Sequence, residues 1–301
     1  MGPGMSLPRR IVAGASYLIT RRCSERRLFL RPSPQTTAIF EFLLAAMAER
    51  YGVLIHAYCV LSNHLHLVIT DPRGRLPDFQ RDLGGLLARA VNASLGRWER
   101  FWAPDSYSAV QLLNPAAIIE KVAYTLANPV AAGLVRRASE WPGAHADLAR
   151  VGAEGIQVAR PDRFFRPGGP LPATAALRLH RPPGFDSDEA FLAATQAALA
   201  EAEARARQAA KASGRGFLGA ARVLAQHPFS RPRPTEPRRG LNPRVASRDK
   251  WRRIEALLRL AEFTTAYREA FHRWAAGARD VLFPHGTWLM RVRHAVRCAP
   301  A

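Results

Sequence analysis

Two histidines one residue apart, His64 and His66, are the side chains of this sequence best placed to do chemistry. They lie in the run His56-Ala57-Tyr58-Cys59-Val60-Leu61-Ser62-Asn63-His64-Leu65-His66-Leu67-Val68-Ile69, where two apolar segments flank a polar turn at Ser62-Asn63. That is the pattern of a β-hairpin. Alternate side chains of a strand share a face, so both imidazoles point one way while Leu65 and Leu67 point the other. Two neutral imidazoles side by side can each give one nitrogen to the same metal ion. The competing explanation is a pair of solvated or core-satisfied histidines, so the motif needs context from the rest of the chain.

A second pair stands further along, in Val122-Ala123-Tyr124-Thr125-Leu126-Ala127-Asn128-Pro129-Val130. Tyr124 and Asn128 are four residues apart and share a helix face. A tyrosine phenolate can attack a phosphodiester and hold the nucleic acid covalently. An amide oxygen one turn away can complete a metal shell begun by two histidines, and a hard cation such as Mg²⁺ or Mn²⁺ would polarise the scissile phosphate. Pro129 disfavours a helical conformation at Asn128, so a kink or stop is expected there. The plainer alternatives are a core tyrosine with its hydroxyl bonded and an ordinary helix end.

The elements that must position these groups follow from periodicity. Residues 11–20 read as a first strand, ending in Arg21-Arg22 with Arg26-Arg27 soon after. Ser33-Pro34 is a capped helix start, and Ile39, Phe42, Leu43 and Met47 recur at helical spacing over residues 34–51 until Gly52. The hairpin follows, then a second amphipathic helix over 77–95, an aromatic cluster of Trp98, Phe101 and Trp102 expected to close the core, and a strand over 107–113. Asn114-Pro115 opens a helix through Ile118 and Val122 to about residue 127. Strand, helix, strand, strand, helix, strand, helix implies an α+β domain: a ferredoxin-like, RRM-like antiparallel sheet with helices on one face.

From about residue 151 the texture changes. Pro and Gly crowd residues 161–184, a helix is expected over about 187–212, and residues 228–253 are rich in Pro and Arg. A strong helix over about 248–276 carries Trp251, Ile254, Leu257, Leu258, Leu260, Tyr267, Phe271 and Trp274 on its apolar side. The chain is therefore divided into a domain of residues 8–150 and a mainly helical, Arg/Pro-rich C-terminal extension of residues 151–301, expected to contact DNA.

The 301 residues carry a net charge of +20, from 44 basic and 24 acidic side chains. Lysine appears only at Lys121, Lys211 and Lys250, so arginine, whose planar fork suits phosphate, supplies nearly all the positive charge. Nucleic acid is the first partner to consider. A GC-rich coding bias explains arginine over lysine but not basic over acidic. The excess is larger in the second half, 26 basic against 13 acidic, than in the first, 18 against 11. Candidate phosphate contacts are Arg21, Arg22, Arg26 and Arg27 at the first strand's end and Arg238, Arg239, Arg252 and Arg253 in the extension. Three scattered cysteines, Cys23, Cys59 and Cys298, argue against a disulfide framework or zinc knuckle. No apolar stretch has the length of a signal core or membrane span, so a cytoplasmic, nucleoid-associated prokaryotic protein with no membrane partner is expected.

Ser62-Asn63-His64-Leu65-His66-Leu67-Val68 resembles the His-hydrophobic-His (HUH) motif of single-tyrosine transposases. Tyr124-x-x-x-Asn128-Pro129-Val130-x-Ala132-Gly133-Leu134-Val135 is similar to the tyrosine helix of one branch, the REP-associated tyrosine transposases. The resemblance covers about residues 8–148, including Trp141-Pro142. It implies a single-stranded DNA substrate near a hairpin and metal ligation by His64, His66 and Asn128. It also implies a nucleophilic Tyr124 that forms a 5′-phosphotyrosine and frees a 3′-hydroxyl. The family often has Pro where this chain has Ser62 and His where it has Leu18; neither position is a ligand. The expected function is that of a mobile-element transposase that cleaves and rejoins DNA.

Three other readings share parts of this pattern. A domesticated, non-cleaving DNA-binding protein would keep the fold but has no need of Tyr124. An RNA-binding module suits the charge, but the strands lack a run of exposed aromatics for base stacking. A metal hydrolase without a covalent intermediate would usually place carboxylates beside the histidines. Monomer and homodimer, with Tyr124 acting in its own or the partner's site, both stay open.

Overall fold

The computed structural model describes residues 8–104, 107–232 and 243–300. Its centre is a βαββαβ unit: β1 (Ala15–Arg22), α1 (Pro34–Tyr51), β2 (Leu54–Leu61), β3 (His64–Asp71), α2 (Leu76–Ser94) and β4 (Ser108–Leu112). The strands lie in the order β2-β3-β1-β4, all antiparallel, which is the ferredoxin-like arrangement expected from the sequence. The first strand starts later than its apolar residues suggested. Ile11 is buried but bonds outside the sheet, to the carbonyl of Gly286, and Gly14 turns the chain at φ 79° before β1 begins.

The hairpin register sorts the side chains of β3. Leu65, Leu67 and Ile69 are buried with Phe40, Leu43, Phe79 and Leu83 of α1 and α2. Tyr58, opposite Leu67, bonds Glu41 of α1 through its hydroxyl. The other face of the sheet carries His64 and His66, with Leu61 and Cys59 as their partners on β2. Against it packs α3 (Pro115–Ala131), whose Val130 meets Cys59 and Leu61 and whose Ile118, Val122 and Leu126 join the main core. Thus α1 and α2 cover one face as expected, and α3 adds a layer on the other.

Asn114 caps α3 by accepting from the amide of Ala117 at 2.8 Å. The helix does not stop near residue 127: it runs through Pro129 to Ala131. Proline removes one donor from an interior turn. Here it stands in the last turn, where only one bond is forgone, and Gly133 (φ 71°) supplies the actual exit. Phe101 and Trp102 are buried as anticipated, but Trp98 is 86% exposed and closes nothing.

The C-terminal residues build onto this unit. A hairpin of β5 (Ile156–Ala159) and β6 (Thr174–Leu177) lies on α1, and Val151, Ala175, Leu177, Leu179 and Phe191 belong to the same core as β3. The long α4 (Asp188–Ala212) lies along α3, and α5 (Ala220–Leu224) places Val223 beside Trp141. Then β7 (Val245–Ala246) extends the sheet, parallel to β4. Only the second half of α6 (Lys250–Ala275) is buried, at Phe263, Tyr267 and Ala270. Its first half, expected to continue an apolar face, leaves Trp251, Leu257 and Leu258 exposed. Among the described residues no helix is long and apolar enough to cross a membrane.

One buried polar chain ties three strands together. His56 is the extra residue of a β-bulge between Ile55 and Ala57 and is fully buried. Its Nδ1 lies 2.7 Å from the carbonyl of His180, so that nitrogen donates. Nε2 must then accept from the Thr70 hydroxyl at 2.8 Å, and Thr70 in turn accepts from Ser16 at 2.7 Å. Burial drives the His56 pKa down from 6.5 to about 4, the bond to the His180 carbonyl opposing. Between those values the unfolded chain binds the proton and the native one does not, so stability is whole above about pH 6.5 and falls as pH drops toward 4. His64, His66, His145 and His180, also shifted down by burial, steepen the same slope. The thermal midpoint followed from pH 7.5 to 4 should fall in the native sequence and fall less in His56→Gln; parallel curves would show that His56 is not the sensor.

Candidate active site

The site forms where β3 meets α3. The His64 and His66 rings lie 4.9 Å apart, edge to face, and the Tyr124 ring stands 5.3 Å from that of His66. The carboxamide nitrogen of Asn128 is 3.3 Å from Nε2 of His66, and the same side chain bonds His64. His66 and Asn128 are buried, His64 is partly exposed, and Tyr124 is 44% exposed. The four residues singled out from the sequence therefore converge on one point, with the tyrosine at the solvent side.

The environment sets the charge state. Burial first, then the Arg22 guanidinium, pushes the pKa of His64 down to about 3, while its bond to the Asn128 side chain opposes. Burial, His64 and Arg22 hold His66 well below the usual imidazole range. Both rings are neutral near pH 7, which is the form that binds metals.

Two residues that the sequence reading missed hold the Nδ1 side of the rings. Nδ1 of His64 lies 2.6 Å from Oδ1 of Asn63, an acceptor, so Nδ1 carries the proton. Asn63 is itself fixed by donating through Nδ2 to the carbonyl of Arg26 at 3.2 Å. Nδ1 of His66 lies 2.9 Å from the Thr20 hydroxyl, the residue opposite His66 on β1. For His64 this leaves the Nε2 lone pair to ligate; the Thr20 hydroxyl can donate or accept, and it is the Asn128 amide N–H facing Nε2 of His66 that matches a proton on Nδ1 there. A half-turn of the Asn128 amide would present Oδ1 instead, the atom a hard cation takes.

The donor set fits a divalent ion. Among the described residues no three His, Cys, Asp or Glu side chains gather to hold one, so the set here is two imidazoles and one amide. All three are neutral, so a hard divalent ion held there would keep room for further, charged oxygen ligands.

The arginines divide. Arg22, exposed, is close enough to bear on both histidines, and Arg26 on His64. Glu25 and Arg26 take up φ of 53° and 57°, a tight backbone beside the site. Arg21 points to the other face: its register partner is Leu65, its guanidinium stacks 4.7 Å over Trp102, and it donates to the carbonyl of Gln80 under Gly84. Burial lowers its pKa, and it serves packing rather than phosphate. Arg27 is held by Glu25 and the carbonyl of Phe229. Arg252 pairs with Asp249, and Arg253 donates to the carbonyls of Ser247 and Arg248. Arg238 and Arg239 lie outside the described residues. Arg248 reaches the α3 side, bonding Glu120 at 3.2 Å, and Lys121 stands 5.9 Å from the centre of the Tyr124 ring.

No family model matches the sequence and no curated protein does. Among solved structures the chain is similar to a REP-associated tyrosine transposase bound to a REP hairpin, at 20% identity over 55% of this chain and 97% of that one, with a TM-score of 0.41. It is also similar to a candidate transposase of Deinococcus radiodurans, at 20% identity over 36% of this chain and 85% of that one, with a TM-score of 0.28.

The tautomer lock has a measurable consequence. Replacing Asn63 by Ala frees the His64 ring to rotate, and outer-sphere partners of this kind are worth about 10–100-fold in metal affinity. Mn²⁺ affinity, followed by electron paramagnetic resonance, should fall in that range in Asn63→Ala with the fold intact. Unchanged affinity would show that the bond does not orient a ligand.

Proposed function

We propose that this chain is a DNA transposase that cuts and rejoins single-stranded DNA near a hairpin through a 5′-phosphotyrosine on Tyr124. The observation that carries the reading is the meeting of Tyr124 with two neutral histidines and an amide across a strand–helix contact. A binding module needs a basic surface and bases to read; it does not need a half-exposed tyrosine aimed at a paired-imidazole site.

The residues divide the work. Arg22 and Arg26 draw the phosphate to the pair of Nε2 atoms and balance its charge there. His64, His66 and Asn128 would hold Mg²⁺ or Mn²⁺, which when bound polarises the scissile phosphate. Tyr124 Oη attacks phosphorus, the P–O3′ bond breaks, and the phenolic proton is made good on the departing 3′ oxygen. The 5′ linkage stays on the phosphorus, now esterified to tyrosine. Because one phosphoester replaces another, attack by a 3′-hydroxyl reverses the step without ATP. The rigid supports matter: Tyr124 sits mid-helix, on a face fixed by Val122 and Leu126 in the core, so the phenol needs little ordering to reach attack geometry.

The test uses labelled single-stranded DNA carrying a hairpin from the flanks of the chain's own gene, with Mg²⁺ or Mn²⁺. A protein–DNA adduct that survives denaturing electrophoresis is expected for the native protein. It should be absent in Tyr124→Phe and reduced at least about a hundredfold in His66→Ala. An adduct that persists in Tyr124→Phe would overturn the assignment. No adduct from the native protein, with metal-independent DNA binding retained, would favour the non-cleaving binder.

A further inference from the structure

Between α3 and α4 lies a groove of about 980 Å³ that no element fills. Its accessible walls include alanines, among them Ala116 and Ala131 of α3 and Ala197 and Ala198 of α4. Alanine faces let two helices close on each other, and Ala123 and Ala127 are buried where α4 lies along α3, so the groove is the open part of that seam. Both α4 and the chain after it are anchored. Phe191, near its start, is fully buried in the main core. Further along, Glu203 accepts from the amide of Ala138 at 2.7 Å and Arg207 donates to the carbonyl of Arg136 at 3.2 Å. Just past α4, the amide of Leu218 bonds the carbonyl of Gly133. These anchors fix α4 on α3, so the groove along their seam keeps its shape.

Two observations indicate its occupant. Tyr124 lines the groove, so whatever lies in it runs directly to the candidate nucleophile. The charged residues lining it are Lys121, Arg205, Arg215 and Arg248 against Glu120 and Glu201, an excess of two positive charges. Glu120 holds Lys121 and Arg248, Glu201 holds Arg205, and Arg215 bonds Ser213. These links pin the cations at the rim and still leave donors to spare, since each arginine has five. The volume is that of a small-ligand cleft, too small for a duplex. Apolar walls accept base faces without regard to sequence, and cations at the rim suit phosphates.

We propose that the α3–α4 groove seats the unpaired DNA strand adjoining the scissile phosphate, its bases against the alanine walls and its backbone along Lys121, Arg205, Arg215 and Arg248. The assignment rests on the reading of Tyr124 as the nucleophile, and it adds a wall, α4, to the substrate site.

The test measures binding of the full chain in EDTA by fluorescence anisotropy, so that no cleavage is needed, with an unpaired oligonucleotide and a blunt hairpin as separate probes. Ala198→Trp fills the groove without altering charge. It should weaken binding of the unpaired strand by about tenfold or more, the worth of one or two seated bases, and leave the hairpin unaffected. Arg215→Ala should lower the slope of log affinity against log salt by about 0.7, one phosphate contact on a single strand. If Ala198→Trp does not fold, Ala198→Cys is folded first and then blocked with a bulky maleimide, with the native protein treated in parallel. Its Cys23 and Cys59 are buried and Cys298 is the background. Native-like binding of the unpaired strand by a folded, groove-filled protein overturns the proposal, as does an equal loss on both probes. The Tyr124 adduct is scored separately: groove-dependent binding without an adduct retains the groove and removes the nucleophile, and an adduct with an indifferent groove does the reverse.

Discussion

The register of β3 between β1 and β2 is the constraint from which the site follows. Strand side chains alternate, so a slip of one residue would turn His64 and His66 into the α1–α2 core and bring Leu65 and Leu67 to the site. Three features forbid the slip. Leu65, Leu67 and Ile69 have no exposed alternative of comparable burial. The Ser16–Thr70–His56 chain matches donors to acceptors only in this pairing. Thr20 lies opposite His66 and bonds it, so the pairing that places the histidine also holds its ring. The contacts that pair the strands are thus also the contacts that position the candidate site.

The two faces of the sheet then do different work. The α1–α2 face is filled with large side chains, Phe40, Phe42 and Phe79 among them, and gives the sheet its stability. The α3 face is thinner at the histidines, where the cover is the Tyr124–Asn128 turn rather than aliphatic side chains. Burying neutral imidazoles there costs little as long as their Nδ1 protons are satisfied, which Asn63 and Thr20 do. The depressed pKa values of both histidines follow from that burial, with Arg22 adding to it.

Much of this was legible in the sequence because it depends on local rules. Period-two alternation put His64 and His66 on one face, and helical spacing put Tyr124 and Asn128 on one face. Capped starts at Ser33-Pro34 and Asn114-Pro115 placed α1 and α3. What was not legible depends on partners distant in the chain. Thr20 is 46 residues from His66, and only the strand pairing joins them. Arg21 and Arg22 are neighbours of one chemical type; alternation alone sends one under Gly84 and the other to the site, and the sequence does not say which face α2 will cover. Trp98 and the first half of α6 are apolar yet exposed, because periodicity reports a preference and not whether a partner surface exists.

The C-terminal residues bear on how the protein should be dissected. Reading them as a separable, DNA-contacting arm suggests truncation after residue 150 as the natural experiment. Yet Phe191 is in the core shared with β3, β7 hydrogen-bonds to β4, and Asn114, which caps α3, also donates to Ser247. Losing a buried phenylalanine alone costs about 3–5 kcal/mol, a large part of the stability of an ordinary domain. A truncated chain that bound DNA poorly would therefore report lost packing beneath the tyrosine helix as readily as lost phosphate contacts. Since α4 is at once a support for α3 and a wall of the groove beside Tyr124, its contribution to DNA binding can be separated from its contribution to the fold only by substitutions that leave both of its anchored ends in place.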